Sequence, residues 1–201
     1  MKTLKLMAAA SLGLLLAACQ TMPKVERIAP DQVTDVSGFW NDTDANQTAQ
    51  QMIGQMLGDP WLKNFESASQ GTQPTVIVSQ IKNLSAEHIS TSTFIDDIQR
   101  ALINSGQVQF VASQDQRGAV RKERKDQDLN AASDTRSAMG EETGADFMMQ
   151  GTINTIIDAA GNYQVKYYQV DLTLINMHNN RIVWVGQQKI KKTVKNGSVR
   201  P

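Results

Sequence analysis

Tyr163 to Asn176 reads YQVKYYQVDLTLIN, and its alternation decides the fold. Tyr168, Val170, Leu172 and Leu174 fall on one side of an extended chain. Val165, Tyr167, Gln169, Asp171, Thr173 and Ile175 fall on the other. Successive strand side chains point to opposite faces, so this is a strand, with the first set as its core face. Before it, Gly161-Asn162 is a tight-turn signal, and Ala145 to Asp158, introduced by Gly144, reads as a strand. After it, Asn179-Asn180 signals a second turn and Arg181 to Val194 a last strand. The C-terminal half is therefore expected to be a three-stranded antiparallel meander.

Working back from the meander, Gln114 to Met139 is polar with helical tendency and reads as two short helices broken near Asn130 to Ser133. Thr75 to Asn83 (TVIVSQIKN) is rich in β-branched residues and reads as a strand. Its consecutive Val76, Ile77 and Val78 suggest a central strand buried on both faces. Thr91 or Ser92 can cap a helix whose buried stripe is Phe94, Ile95, Ile98, Ala101 and Leu102. Gly106 fits as its C′ residue. Val108 to Ala112 is a short second strand, so this strand-helix-strand unit implies a parallel pair.

Asp42 or Asp44 can cap the first helix. Ala45, Ala49, Met52, Ile53, Met56 and Leu57 follow helical spacing and give it one apolar face. Gly58 and Pro60 stop it, and Trp61, Leu62 and Phe65 beyond form a cover for the core; Gln70, Gly71 and Pro74 mark a loop. The expected fold is α/β, a mixed four- to five-stranded sheet flanked by helices.

The N-terminus is of another kind. Met1 to Lys5 is positively charged, and Leu6 to Leu16 is a short run almost wholly of Leu, Ala, Met and Gly. A membrane-spanning helix needs about 20 apolar residues, so the run is a secretory signal. Leu16-Ala17-Ala18-Cys19 resembles the lipobox of bacterial lipoproteins. Small side chains admit a peptidase, and the thiol of Cys19 accepts a diacylglycerol. Cys19 is the single cysteine of the chain, so no intramolecular disulfide can form. The expected parts are a signal peptide (1–18), a lipidated flexible tether (19–37) and a periplasmic globular domain (38–201). Gln20, in place of the Asp that commonly marks inner-membrane retention, implies export to the outer membrane.

Gln20 to Ser37 contains Pro23 and Pro30 and no apolar periodicity. At 3.3–3.6 Å per residue it reaches about 60 Å when fully extended. The chain carries 20 basic and 20 acidic residues, and cleavage after Ala18 removes Lys2 and Lys5, leaving a net charge of −2. That balance gives no reason to expect nucleic-acid binding.

No arrangement for catalysis stands out. His88 and His178 are the only histidines and sit in expected loops, without a second ligand at metal-binding spacing. Arg121 to Lys125 (RKERK) includes Glu123 and reads as a solvated helix face rather than a partner surface. Adjacent Asp96 and Asp97 diverge around a helix and read as surface. There is no phosphate-binding glycine loop and no nucleophile motif. Gly151, inside a strand, marks a bulge or a close backbone approach. Trp184 reads as core or sheet cover; exposed, it would be an anchor for a partner.

Ala145-Asp146-Phe147, Gly151-Thr152-Ile153, YYQVDLTLIN, Arg181-Ile182-Val183-Trp184 and a Lys-rich last strand together resemble the LpoB-type outer-membrane lipoproteins. The likeness extends from about Gly38 to Lys195 and includes the MIGQMLGDPWL and TVIVSQIKN stretches. It implies a TolB N-terminal-like domain and a non-enzymatic regulator; no metal or other cofactor is expected, because no residue cluster offers ligands. Its implied partner is a class A penicillin-binding protein, the bifunctional peptidoglycan synthase. The best-known members carry a long Pro-rich tether, whereas this chain has only Gln20 to Ser37. The alternative is an envelope-assembly component like the curli secretion lipoproteins. Those build a barrel from extra amphipathic strands, and no such pair of long alternating insertions occurs here.

Overall fold

The computed structural model describes residues 25–137 and 139–195. The signal segment, Cys19 and Gln20 therefore lie outside the described residues. Residues 25–32 carry exposed side chains and one backbone turn, Gln32 N–H to the Ala29 C=O at 3.0 Å. The compact unit begins at Val33, ahead of the Gly38 boundary read from composition.

Helix α1 (Asp42–Gly58) starts on a capping box. The Asn41 side chain accepts from the Asp44 N–H at 3.0 Å, and the Asp44 carboxylate accepts from the Asn41 N–H at 2.9 Å. The cap is thus Asn41, and neither Asp42 nor Asp44; Asp44 supplies the return bond. Ala45, Ala49, Met52, Ile53 and Met56 form the buried stripe. Trp61, Leu62 and Phe65 belong to a second helix, α2 (Pro60–Ala68), with Pro60 in its first turn. The Trp61 indole N–H donates to the Met56 C=O at 2.6 Å and ties the two helices at their joint.

Strand β1 (Thr75–Asn83) leads into helix α3 (Thr91–Ser105) and the two-residue strand β2 (Gln109–Phe110). The cap of α3 is Ser90, one residue before the expected pair. Phe94, Ile98 and Leu102 of α3 are fully buried, worth about 1.5–3 kcal/mol each relative to exposure. Gly106 ends α3 in the left-handed conformation at φ 64°. Helix α4 (Gln114–Asn130) buries no residue. The expected second helix beyond Asn130 is replaced among the described residues by turns and coil. That stretch has no apolar period to bury, and Gly140 turns it at φ 87°.

Strands β3 (Phe147–Ala160), β4 (Tyr163–Asn176) and β5 (Ile182–Lys195) form the expected meander. Ala160 pairs with Tyr163 across Gly161-Asn162, and Gly161 has φ 60°. The strand order is β2-β1-β3-β4-β5, with β1 parallel to β2 and β3 and the remainder antiparallel. Among the described residues the fold is α/β, a mixed five-stranded sheet with four helices.

All four expected core residues of β4 are buried to 1% exposure or less. They share a face with Val76, Val78, Ile81, Phe147, Met149, Ile153 and Trp184. The other face is only partly covered, which corrects the reading of β1 as buried on both sides. Ile77 is half-buried, and Ser79 and Gln80 are exposed. The pairing register slips between Val78 and Ile81, which lifts Ser79 and Gln80 out of the ladder. Gly151 lies opposite Ile81, and a Cβ there would collide with the Asp171 carbonyl and the Leu172 side chain. The bulge is in its partner strand, and the close approach is at Gly151 itself.

Candidate functional site

The two ends of the sheet carry different chemistry. At the end holding the β3–β4 turn, residues 33–41 are bound onto the domain. Lys192 on β5 donates to Asp35 at 2.8 Å, to Asp44 at 2.6 Å and to the Phe39 C=O at 3.2 Å. The Asn41 side chain bonds Asp35 at 2.8 Å. The Trp40 ring meets Phe94 and Tyr168 edge-on at centroid distances of 6.1 and 5.6 Å.

Beneath this segment lies a buried ion pair. Lys166 donates to Glu87 at 2.9 Å, with side chains only 3% and 6% exposed, and its ammonium sits 3.2 Å from the centre of the Phe39 ring. The Tyr168 hydroxyl lies 2.7 Å from the Glu87 carboxylate and 3.1 Å from the Gly38 C=O. A phenol has one proton, and the shorter, charged contact takes it. The Trp40 N–H completes the set around Glu87 at 3.4 Å. The loop after β1 places Glu87: Asn83 donates to its C=O at 2.7 Å, and Ser85 donates to Asn83 at 2.6 Å.

The electrostatics follow from these contacts. Burial pushes the Glu87 carboxyl up, but the bonds from Lys166, Tyr168 and Trp40 outweigh it and hold it below the ordinary carboxylate range. Burial, then Glu87 itself, drives the Tyr168 phenol well above its usual value, so it remains a donor. Burial lowers the Lys192 ammonium, yet Asp35 and Asp44 outweigh it and leave it raised. Three donors, two from β4 and one from the bound segment, thus converge on the Glu87 carboxylate, whose side chain is 6% exposed, and hold residues 38–40 against β4.

The opposite end carries a groove of about 770 Å³ between α2 and the start of β5. Trp61 and Phe65 of α2 meet the Phe147 ring at 5.1 and 5.2 Å and form its floor. Arg181 to Val185 form the facing wall. The Trp184 indole N–H donates to Asp59 at 2.7 Å, pinning the joint between α1 and α2 to β5.

Of the residues singled out from sequence, Trp184 is buried, 6% exposed, and borders this groove. His88 and His178 are exposed loop residues; His178 lies 3.4 Å from Asp146. No group of three or more His, Cys, Asp or Glu among the described residues is placed to hold a metal ion. Asp97 pairs with Arg100 at 3.0 Å, and Asp96 is exposed. Within RKERK, Arg121 forms a two-point pair with Glu142 at 2.9 and 2.8 Å, joined by Arg124 at 3.3 Å. That stretch is an exposed helix face that also fastens the loop before β3. The structure does not gather these residues into one site. The Glu87–Lys166–Tyr168 cluster and the α2–β5 groove were not read from sequence; Lys166, in phase with the core face of β4, was the available signal.

The sequence matches, over residues 44–190, the model of the family described as peptidoglycan-synthase activator LpoB. No curated protein matches it. Among solved structures it is similar to the LpoB C-terminal domain from Escherichia coli, at 16% identity and a TM-score of 0.44, covering 74% of this chain and 99% of that one. The corresponding domain from Salmonella enterica gives 15% identity, a TM-score of 0.43 and the same coverage. Lipoprotein GNA1162 from Neisseria meningitidis gives 14%, a TM-score of 0.40, and 63% and 88% coverage.

Proposed function

The chain belongs to the LpoB family of peptidoglycan-synthase activators, and on that premise we propose that it binds and activates a class A penicillin-binding protein while lipid-anchored in the outer membrane. The observation that carries this reading is the extent of the family match, which runs from α1 through most of β5. The match thus spans the folded domain rather than one motif. LpoB-family proteins are regulatory activators rather than enzymes, and this chain is read in the same way.

In this reading Cys19 carries the S-diacylglycerol and an N-acyl group, because several chains anchor stably where one binds only marginally. No helix among the described residues is long and apolar enough to cross a membrane. The domain raises synthase activity by binding the synthase's active conformation more tightly than the inactive one. The test is affinity between the purified lipoprotein and each class A synthase of its own organism. Saturable binding to at least one is expected; no binding to any would set the reading aside.

A further inference from the structure

The segment 33–41 lies on the domain as a strap, and its two halves are fastened by different physics. Val33 to Ser37 is exposed throughout, with Val33 and Val36 at 59% and 89%. Lifting this outer half therefore returns little apolar side-chain surface of its own to water. Its hold is polar. The Asp35 carboxylate accepts from Lys192 and from the Asn41 side chain, both at 2.8 Å, and the Thr34 C=O accepts from Asn41 at 3.4 Å. The Asp35 side chain is 51% exposed, and ion pairs so open to water contribute little and weaken as salt rises.

The inner half, Gly38 to Asn41, is fastened from beneath. The Trp40 N–H donates to Glu87 at 3.4 Å, its ring packs on Phe94 and Tyr168, and the Phe39 ring lies over Lys166. Phe94 and Tyr168 are both 0% exposed. Lifting the inner half would strip their cover, so it costs apolar burial that the outer half does not.

Lys192 lets the halves part. Its ammonium has three protons and three acceptors: Asp35, Asp44 at 2.6 Å and the Phe39 C=O at 3.2 Å. Of these, Asp35 alone belongs to the outer half. When it leaves, Lys192 keeps a carboxylate and a carbonyl, so no buried charge is stranded. Asn41 likewise keeps its bond from the Asp44 N–H, so the cap of α1 survives. Gly38 stands at the boundary in the left-handed region, φ 68°, where a Cβ would collide with the Val194 side chain.

We propose that residues 33–41 form a two-stage strap. Val33 to Ser37 peels from Lys192 as slack when the tether is pulled, and Gly38 to Asn41 stays down as the stop that keeps the load off the core. The peeled residues add about 17 Å of reach at 3.3–3.6 Å each. Opening needs no unfolding, and Asp35 and Lys192 pair again when tension falls. The slack has its use only if Cys19 ties the chain to a membrane, as the proposed function holds; the opening itself needs neither the membrane nor the synthase.

Energy transfer between two dyes on the full-length lipoprotein in detergent tests it. The dyes are carried by non-thiol unnatural residues, so Cys19 is untouched. They stand at position 33 and at position 63, which is exposed on α2 at the far end of the sheet. Wild type at low salt should show one steady efficiency, and raised salt should lower it. Asp35→Lys sets two cations face to face. It should lower the efficiency at any salt and leave the melting temperature unchanged. Gly38→Ala, or Trp40→Phe should that variant fail to fold, should lower the melting temperature. Stretched between its N-terminus and position 63, wild type should lengthen by one reversible step of up to about 17 Å before it unfolds, and Asp35→Lys should lack the step. An efficiency unchanged by Asp35→Lys would overturn the strap. So would a melting temperature lowered by Asp35→Lys as far as by the inner-half variant, or a wild type that unfolds with no earlier step. None of these measurements uses the synthase, so their failure leaves activation standing, and failure of activation leaves them standing.

Discussion

Glu87 and Lys166, 79 positions apart in sequence, meet at 2.9 Å under the segment through which the chain enters its domain. Each is buried because the other is there. A loop after β1 and the middle of β4 are thereby fixed to one another, with Phe39, Trp40 and Tyr168 closing the site against water.

Lys166→Met should therefore destabilise the domain by about 3–5 kcal/mol, because it leaves the Glu87 carboxylate buried without its cation. Glu87→Leu combined with Lys166→Met should recover much of that loss. Denaturant midpoints for the two single variants and the pair form the cycle that measures the coupling. Additive losses would show that the pair is not coupled.

The pH dependence of stability follows from Glu87 in this cluster and from Lys192, which is paired with Asp35 and Asp44 beside it. Glu87 titrates lower in the folded protein than in the unfolded chain, so its contribution is complete above the ordinary carboxylate value of about 4.3. It is lost as pH falls through the lower folded value. Lys192 is raised, so its contribution is complete below about 10.4 and is lost as pH climbs through the higher folded value. A plateau from about pH 5 to 9 is expected, and Glu87→Gln should flatten the acid limb. Thermal melts across pH 2–11 check both limbs.

The pattern that exposes β4 as a strand also held the clue to this cluster. Lys166 is in phase with Tyr168 and Val170, so a charge on the core face demanded a buried acid. Nothing local identified that acid as Glu87, since the pairing depends on how β1 and β4 stack through β3. The meander, the parallel unit and the α1 stripe were legible because each is written in local periodicity. The cover of one sheet face and the end of the tether were not. Asp35 looks like any linker acid until Lys192 is brought beside it from the far end of the chain. Helix α2 was hidden by its length: nine residues give only two buried side chains, Trp61 and Leu62, too few to show a period.

Gly151→Val should be among the most damaging substitutions in the sheet. Its Cβ would meet the Asp171 carbonyl, which is backbone and cannot swing aside. A loss of about 3 kcal/mol or more, or failure to accumulate as folded protein, is expected. Gly118→Ala, on the exposed face of α4 with open space around it, should cost nothing and gain about 1 kcal/mol from helix propensity. Comparing their melting temperatures separates a packing requirement from a general sensitivity of glycines.

Cys19→Ala should abolish lipidation and release the domain from the outer-membrane fraction, or leave it as uncleaved precursor. Intact mass of the wild-type protein should show a processed N-terminus carrying acyl chains. An unmodified Cys19 would contradict the anchoring reading. While residues 33–41 are bound to the domain they add nothing to the tether's reach, which therefore falls short of the about 60 Å that Gln20 to Ser37 would give when fully extended. Lengthening it in cells should be tolerated, and deleting it should uncouple the domain from its partner.

The central claim is activation, and the rate of glycan-strand synthesis tests it most directly. Each class A penicillin-binding protein of the same organism is assayed with and without a saturating amount of the full-length lipoprotein. The account predicts a severalfold higher rate for one of them, within the 5–150-fold span of about 1–3 kcal/mol of coupling. An unchanged rate for every such synthase, with the lipoprotein folded and in excess, would contradict it.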